Sequence, residues 1–258
     1  MNTPLTASEY SQLKLAAGKG GGLSSPDLVS KRTQKILAHC LAFTAGYIDG
    51  YGLLVLGIYV SFMSGNTTMT GVRAGQENFP AALAPAIAIV CFVAGSLIAT
   101  LITHARVRHT HRSLFGLITI LLIIVLLLGD HGGSHGALKD VTIALLSFGM
   151  GTVNPALSKI GTEAVSLTFM TGTLSRMGGH LAQALRGDPV PGSEGPWDNH
   201  FRRARLDAQM WVAFIIGATL AGIMLSHAAS YILFPAIAIM VLLAIFVPSE
   251  PKDASPSR

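Results

Sequence analysis

Apolar residues run in six long stretches, at about 36–58, 81–104, 113–129, 138–157, 208–227 and 230–247, without the polar–apolar alternation of half-buried strands. A helix rises 1.5 Å per residue, so some twenty apolar residues cross a hydrocarbon core of ~30 Å. Inside that core every backbone amide must be paired within its own segment or in a closed barrel, and barrel strands alternate. Each run is therefore predicted to be a transmembrane helix. Burying six such helices in a water-soluble protein would take polar helices to cover them, and the sequence has none to spare. The pattern predicts an all-α polytopic membrane protein.

Two stretches, 59–80 and 158–185, are neither plain loops nor clean spans. Residues 1–35 carry glycines, serines and Pro26 without an apolar signal core and read as a disordered tail, as do residues 248–258 with their three prolines. The polar stretch 186–207 reads as a loop that ends in a basic flank.

Composition agrees. Half the chain is apolar and 12% is charged, about half the ~25% usual in soluble domains, which argues against a freely soluble enzyme. The net charge of +5 does not point to nucleic acid, because the basic residues fall between hydrophobic runs and not along one face. Cys40 and Cys91 both lie in apolar stretches and form no disulfide framework or metal motif.

The basic residues instead give an orientation. Lys31, Arg32 and Lys35 precede the first run; Arg106, Arg108 and Arg112 separate the second from the third; Arg186, Arg202, Arg203 and Arg205 precede the fifth. All three segments fall on the cytoplasmic side only if 59–80 and 158–185 dip into the membrane without crossing it. The expected topology is six spans, two broken or re-entrant segments, and both termini in the cytoplasm.

The two odd stretches resemble each other. Ser61-Phe62-Met63-Ser64-Gly65-Asn66-Thr67 aligns with Thr168-Phe169-Met170-Thr171-Gly172-Thr173-Leu174, and upstream Asp49 stands where Asn154 stands in the second half. Each is followed by two apolar runs. The chain thus divides into repeats at 36–135 and 136–247, and an odd number of crossings in each inverts the second against the first. Inverted repeats with interrupted helices near the midplane are a recurrent plan of transporters, with the site at the repeat interface.

Ala45-Gly46-Tyr47-Ile48-Asp49, the Ser64-Gly65-Asn66-Thr67 segment and the later Thr171-Gly172-Thr173 resemble the YoaK-like (DUF1275) family of bacterial inner-membrane proteins, over about residues 36–247. The resemblance implies a multi-pass protein of the bacterial cytoplasmic membrane. The family has no assigned activity, so it implies none here. Ser64 stands where the family more often has Thr, and the hydroxyl is kept.

Asp49 is the sharpest single signal, since an ionisable side chain at such depth costs at least ~2.5–3.5 kcal/mol unless paired or hydrated. It is expected to bind a proton, a cation or a substrate group, or else to be a structural carboxylate bonded to a neighbouring helix. Gly65 and Gly172 are read as the points where the chain bends. Ser64, Asn66, Thr67, Thr171 and Thr173 then offer donors and acceptors either to a ligand or to the turn's own backbone. Asn154 mirrors Asp49, and Pro155 frees a carbonyl beside it.

Arg73 and Arg176 are expected to snorkel to headgroups, with pairing to Asp49 or to an anionic substrate as the alternative. Glu163 and His180 receive no role. Histidines at 104, 109, 111, 131 and 135 are expected to be solvated and not metal ligands. Gly132-Gly133-Ser134-His135-Gly136 fits the serine-nucleophile pattern G-x-S-x-G but lies in a loop without its strand-to-helix context, so no enzyme is expected. Gly46-x-x-x-Gly50 and Gly71-x-x-x-Gly75 have the spacing of close helix contacts.

The sequence therefore predicts a small-solute transporter whose site lies at the repeat interface around Asp49, with proton coupling as its mechanism. A non-transporting scaffold, assembly factor or sensor is the competing class. The partners expected are the lipid bilayer and an unidentified small solute or ion. No cofactor or metal is expected, and homo-oligomerisation is left open.

Overall fold

The computed structural model describes residues 31–104, 110–128, 136–156, 159–160, 163–164, 170–191, 193, 195 and 197–247. Most of both predicted tails, His109, the histidines at 131 and 135, the G-x-S-x-G run at 132–136 except Gly136, and the side chains of His104, Asn154, Pro155 and Glu163 lie outside the described residues.

Each of the six apolar runs is a helix. The elements in chain order are α1 (Lys31–Tyr51), continued by one π turn (Gly52–Leu56), then α2 (Met63–Gly75), α3 (Phe79–His104), α4 (Thr110–Leu128) and α5 (Ala137–Ala156). A two-residue antiparallel ribbon, β1 (Lys159–Ile160) and β2 (Glu163–Ala164), follows, with Lys159 opposite Ala164. The chain then forms α6 (Met170–Arg186), α7 (His200–Ala228), a 3-10 turn (Ala229–Tyr231) and α8 (Phe234–Phe246). α7 begins ahead of the expected boundary at 208, because Asn199 caps it: its side-chain oxygen accepts the Arg202 amide at 2.9 Å, satisfying one of the helix's orphan donors. The basic run at 202–205 is therefore helical and not the end of a loop.

Among the described residues four helices are long and apolar enough to cross a bilayer: Thr33–Leu56, Phe79–Thr103, His111–Leu128 and His200–Tyr231. In α3 and α7 burial is inverted relative to a water-soluble protein, whereas 61% of the most apolar window of α1 is buried. Only 17% of the most apolar window of α3 and 11% of that of α7 is buried, and Leu127 is 78% exposed while Asp49 is 4% exposed. Large aliphatic side chains face outward where lipid supplies their solvent, and Asp49, Asn66, Ser147, Thr152, Thr173 and Asp207 lie inside. The molecule is an all-α polytopic membrane protein.

The helices pair crosswise along the chain. α1 packs along α7 and α3 along α5, while α2 lies on α3, α6 on α7, and α4 against both α5 and α8. The two long pairings share one device. A side chain on Gly46 would overlap the carbonyl of Phe214, and one on Gly217 would overlap the carbonyl of Phe43; likewise Gly95 abuts the carbonyl of Phe148, and Gly151 that of Phe92. Four Phe-x-x-Gly segments, at 43–46, 92–95, 148–151 and 214–217, thus interlock in two reciprocal pairs. Without side chains at the contact, backbones approach closely enough for Cα–H···O=C contacts, which recur at such helix interfaces. On α1 the seam continues through Gly50, where a Cβ would meet that of Ala221 at 2.9 Å. Gly71 and Gly75 share the spacing but face open space, so the second small-residue motif is not a helix contact.

At the other seam the Arg112 guanidinium donates to the carbonyls of Val247 at 2.8 Å and Ile245 at 3.0 Å, capping the C-terminus of α8 from the first turn of α4. The Tyr47 hydroxyl donates to the Ile232 carbonyl just before α8.

Candidate functional site

The first interruption lies upstream of the predicted glycine. α1 unwinds through the π turn and ends at Gly57, whose φ of 68° is left-handed and whose amide returns to the Gly52 carbonyl; a residue with a Cβ is strained there. The chain then runs irregularly from Ile58 to Phe62 before α2 begins at Met63. Gly65 is the third residue of α2 and Gly172 the third of α6. They sit in matching first helical turns and not at the bends. What Gly65 provides is room, since a Cβ there would meet the Phe62 ring at 2.7 Å.

Asp49 and Asn66 hold the irregular stretch between them. Asp49 Oδ1 accepts the Val60 amide at 2.9 Å and the Ser61 amide at 2.7 Å, and Oδ2 accepts the Ser61 hydroxyl at 2.6 Å. Asn66, fully buried, pairs with Tyr59 in both directions: its Oδ1 accepts the Tyr59 amide at 3.2 Å and its Nδ2 donates to the Tyr59 carbonyl at 2.5 Å. Four backbone groups that an interrupted helix exposes at depth are thereby paired. Charge-assisted bonds to three donors offset much of the cost of a buried carboxylate.

The other predicted hydroxyls are placed differently. Thr67 donates to the Met63 carbonyl at 2.8 Å within α2, and Thr68 and Thr70 repeat the pattern. Ser64, Thr67 and Thr171 are exposed. Thr173 is buried but belongs to a second cluster, on α6 and α7.

That cluster was not foreseen. Arg176 donates to Asp207 Oδ1 at 3.0 Å and to Thr173 Oγ1 at 3.3 Å, and His180 Nδ1 meets His200 Nδ1 at 3.0 Å. Arg203 forms a two-pronged pair with Asp198 at 2.7 and 3.0 Å. Asp207 and His200 are 2% and 4% exposed. Arg176 Nε, His200 Nε2 and Asp207 Oδ2 are buried and find no hydrogen-bond partner among the described residues. Arg176 thus holds a buried carboxylate and does not snorkel to headgroups. Arg73 likewise turns inward, donating to the Ala81 carbonyl at 2.7 Å. The spacing of Arg73 from Gly65 equals that of His180 from Gly172, and Asn78 stands as far before Gly95 as His200 before Gly217. The seams of α2 with α3 and of α6 with α7 thus share these two sequence spacings.

Two cavities bear on function. At the centre a void of about 10 Å³ is lined by Leu41, Ile48, Ile118, Leu122, Leu146, Met150 and Met240; it barely holds one water and offers it almost no polar partner. At one end of the bundle an open cleft of about 540 Å³ lies among Arg73, Asn78, Pro80, Ala84, Lys139 and Asp140. Among the described residues no three His, Cys, Asp or Glu side chains come together as a metal site.

A family model described as protein of unknown function (DUF1275) matches residues 37–246. The UPF0700 transmembrane protein RA0705 of Rhizobium meliloti (strain 1021) is 28% identical over 211 residues, covering 81% of this chain and 84% of that protein. The UPF0700 transmembrane protein YoaK of Bacillus subtilis (strain 168) is 28% identical over 144 residues, 55% of this chain and 64% of YoaK. No solved structure matches. With its interrupted helices, its outward-facing apolar surface and a family match over most of its length, the chain belongs to the DUF1275 family of transmembrane proteins.

Proposed function

We propose that this protein is a small-solute carrier of the bacterial cytoplasmic membrane, with both termini cytoplasmic. In this reading it has six spans, two re-entrant helices, α2 and α6, and two inverted repeats, residues 36–135 and 136–247. The observation that carries the reading is the crosswise interlock of the Phe-x-x-Gly segments. α1 with Phe43 and Gly46 corresponds to α5 with Phe148 and Gly151, and α3 with Phe92 and Gly95 to α7 with Phe214 and Gly217. Each tight pair takes one helix from each half, and exchanging the halves turns one pair into the other. Two such bundles, α1–α6–α7 and α2–α3–α5, are suited to rock against each other about α4 and α8, as in inverted-repeat carriers.

The ends of the bundle differ in a way that supports the reading. The cleft beside Arg73 and Asn78 is open, whereas the corresponding place beside His180 and His200 is closed by side-chain contacts. This is an arrangement with one entrance open and the other shut. The solute site would lie between the halves, from Asp49, Ser64, Gly65, Asn66 and Thr67 on one side and Asn154, Thr171, Gly172 and Thr173 on the other. No catalytic role is assigned to any of them. Opening the centre would require Asp49 to release Ser61, and protonation of its carboxylate is one way to weaken that bond.

A second reading, a non-transporting scaffold or sensor, is favoured by one specific observation: Asp49 is engaged through both oxygens and the central void is apolar. Proteoliposome flux decides between them. Purified protein is expected to move at least one class in a panel of small ions, amino acids and organic acids faster than empty vesicles, and Asn78→Trp, which fills the open cleft, is expected to slow it. Folded protein that moves none of the panel would leave the scaffold reading standing. Flux with unchanged pH dependence in Asp49→Asn would remove proton exchange at Asp49.

A further inference from the structure

Between the first turns of α7 and the first three turns of α6 the structure gathers ionisable groups that the family match does not explain. From α6 come Arg176 and His180, with Thr173 beside them; from α7 come His200, Arg203 and Asp207; from the turn before α7 comes Asp198. α1, on the other face of α7, carries Lys35 and His39 in its first turns, and His39 Nδ1 is turned back to the Lys35 carbonyl at 2.6 Å. Arg176 is balanced by Asp207 and Arg203 by Asp198. That leaves the two imidazoles at the centre of the seam, histidine being the side-chain type that most readily exchanges a proton near neutral pH.

We propose that this seam is a proton-binding latch: the His180–His200 contact holds α6 against α7 while at least one imidazole is neutral, and uptake of one further proton releases it. The contact between the two rings supports this. Two Nδ1 atoms at 3.0 Å form a hydrogen bond only if one donates and the other accepts. When both carry a proton, two N–H groups meet head to head and neither has a lone pair to offer. Asp207 Oδ2, buried and without a hydrogen-bond partner among the described residues, offers an acceptor in the same cluster for a displaced imidazolium.

The seam also has the right location. α6 is the re-entrant helix of the second half in the carrier reading, and its first turn holds Met170, Gly172 and Thr173. Releasing its middle from α7 frees the element that would have to move, at the end of the bundle that is shut. The latch deepens the carrier reading by naming what opens that end, yet it can be measured without any solute.

Amide hydrogen exchange on the full chain in detergent tests it, read as protection factors so that the intrinsic pH dependence of exchange is removed. Peptides within Met170–Arg186 are expected to lose protection about tenfold on going from about pH 8 to pH 5. Peptides at the Phe43–Gly217 crossing should keep theirs. His180→Gln, which retains a hydrogen-bonding side chain but takes up no proton, is expected to hold α6 equally protected at both pH values. Equal protection of the wild-type helix at both pH values overturns the latch, as does a pH-dependent loss that persists in His180→Gln. His180 is partly exposed, so this variant avoids the packing cost of replacing buried His200. A failed latch leaves the flux result untouched, and absent flux leaves the exchange result untouched.

Discussion

Gly46 and Phe214 meet backbone to backbone, and Phe43 and Gly217 return the contact within the same crossing of α1 and α7. This relationship sets the sign of a simple experiment. In a helix Ala is favoured over Gly by up to ~1 kcal/mol, so Gly71→Ala, in open space on α2, should leave stability unchanged or raise it slightly. Gly46→Ala places a methyl group into the Phe214 carbonyl and should lower stability by about 2 kcal/mol despite the better propensity. Gly95→Ala should behave like Gly46→Ala, because it faces Phe148 in the same manner. Thermal unfolding in detergent checks this, and equal shifts at positions 46 and 71 would dissolve the interlock.

Asp49 holds the turn by acceptors, not by charge pairing, which separates two substitutions that are usually grouped together. Asp49→Asn keeps an oxygen for the Val60 and Ser61 amides, and the Ser61 hydroxyl can rotate to accept, so the cost should be about 1 kcal/mol. Asp49→Ala leaves two buried amides without partners and should cost about 3 kcal/mol. Ser61→Ala should cost ~1 kcal/mol in the wild type and less in Asp49→Asn, since the two changes remove one bond. Denaturation of the three single variants and the double variant measures this. Equal losses for Asn and Ala would mean that charge, not bonding, holds Asp49 in place.

The six helices were legible because lipid replaces water as their solvent, and continuous apolar runs such as 113–129 have no other stable environment. The break in α1 was legible only in outline. Gly65, Asn66 and Thr67 have the composition of a turn, but the Thr67 hydroxyl bonds to its own helix and Asn66 reaches back to Tyr59; the turn itself follows Gly57, where no pattern marks a π turn. The Arg176–Asp207 and His180–His200 contacts join helices separated by a long loop, and no spacing rule predicts which pairs meet. The interlock, by contrast, leaves a trace in the sequence. Phe-x-x-Gly occurs once in each of the four helices that use it, whereas the better-known spacing of Gly71 and Gly75 marks nothing.

Arg176 is the ion partner of a carboxylate that is almost fully buried, so the two residues should respond unequally to separate and joint removal. Arg176→Ala leaves Asp207 uncompensated and should cost about 3 kcal/mol. Arg176→Met combined with Asp207→Leu replaces the pair by apolar side chains and should recover most of that loss, because desolvating two ions offsets much of their attraction. Thermal unfolding of the single and double variants is sufficient. A double variant as unstable as Arg176→Ala would mean that packing of the guanidinium stem, not the ion pair, holds the seam.

Topology is the last expectation, and the structure ties the relevant sites together. Asn78 and Asp140 border the same open cleft, so both are expected on one side of the membrane. Arg112 caps the end of α8 through the Val247 carbonyl, so the start of α4 and the C-terminus of α8 share a side as well. The charge census places the second pair in the cytoplasm, and α4, running from Thr110 to Leu128, is long enough to carry the chain to the other face before α5 begins. In a background with Cys40 and Cys91 replaced by Ala, an impermeant thiol reagent applied to intact cells should label Asn78→Cys and Ala137→Cys. His109→Cys should react only after the membrane is permeabilised. If α2 crossed the membrane instead of dipping into it, the orientation of every later element would reverse. His109→Cys would then label from outside while Asn78→Cys and Ala137→Cys would not, and the inverted-repeat arrangement would have to be abandoned together with the six-span topology.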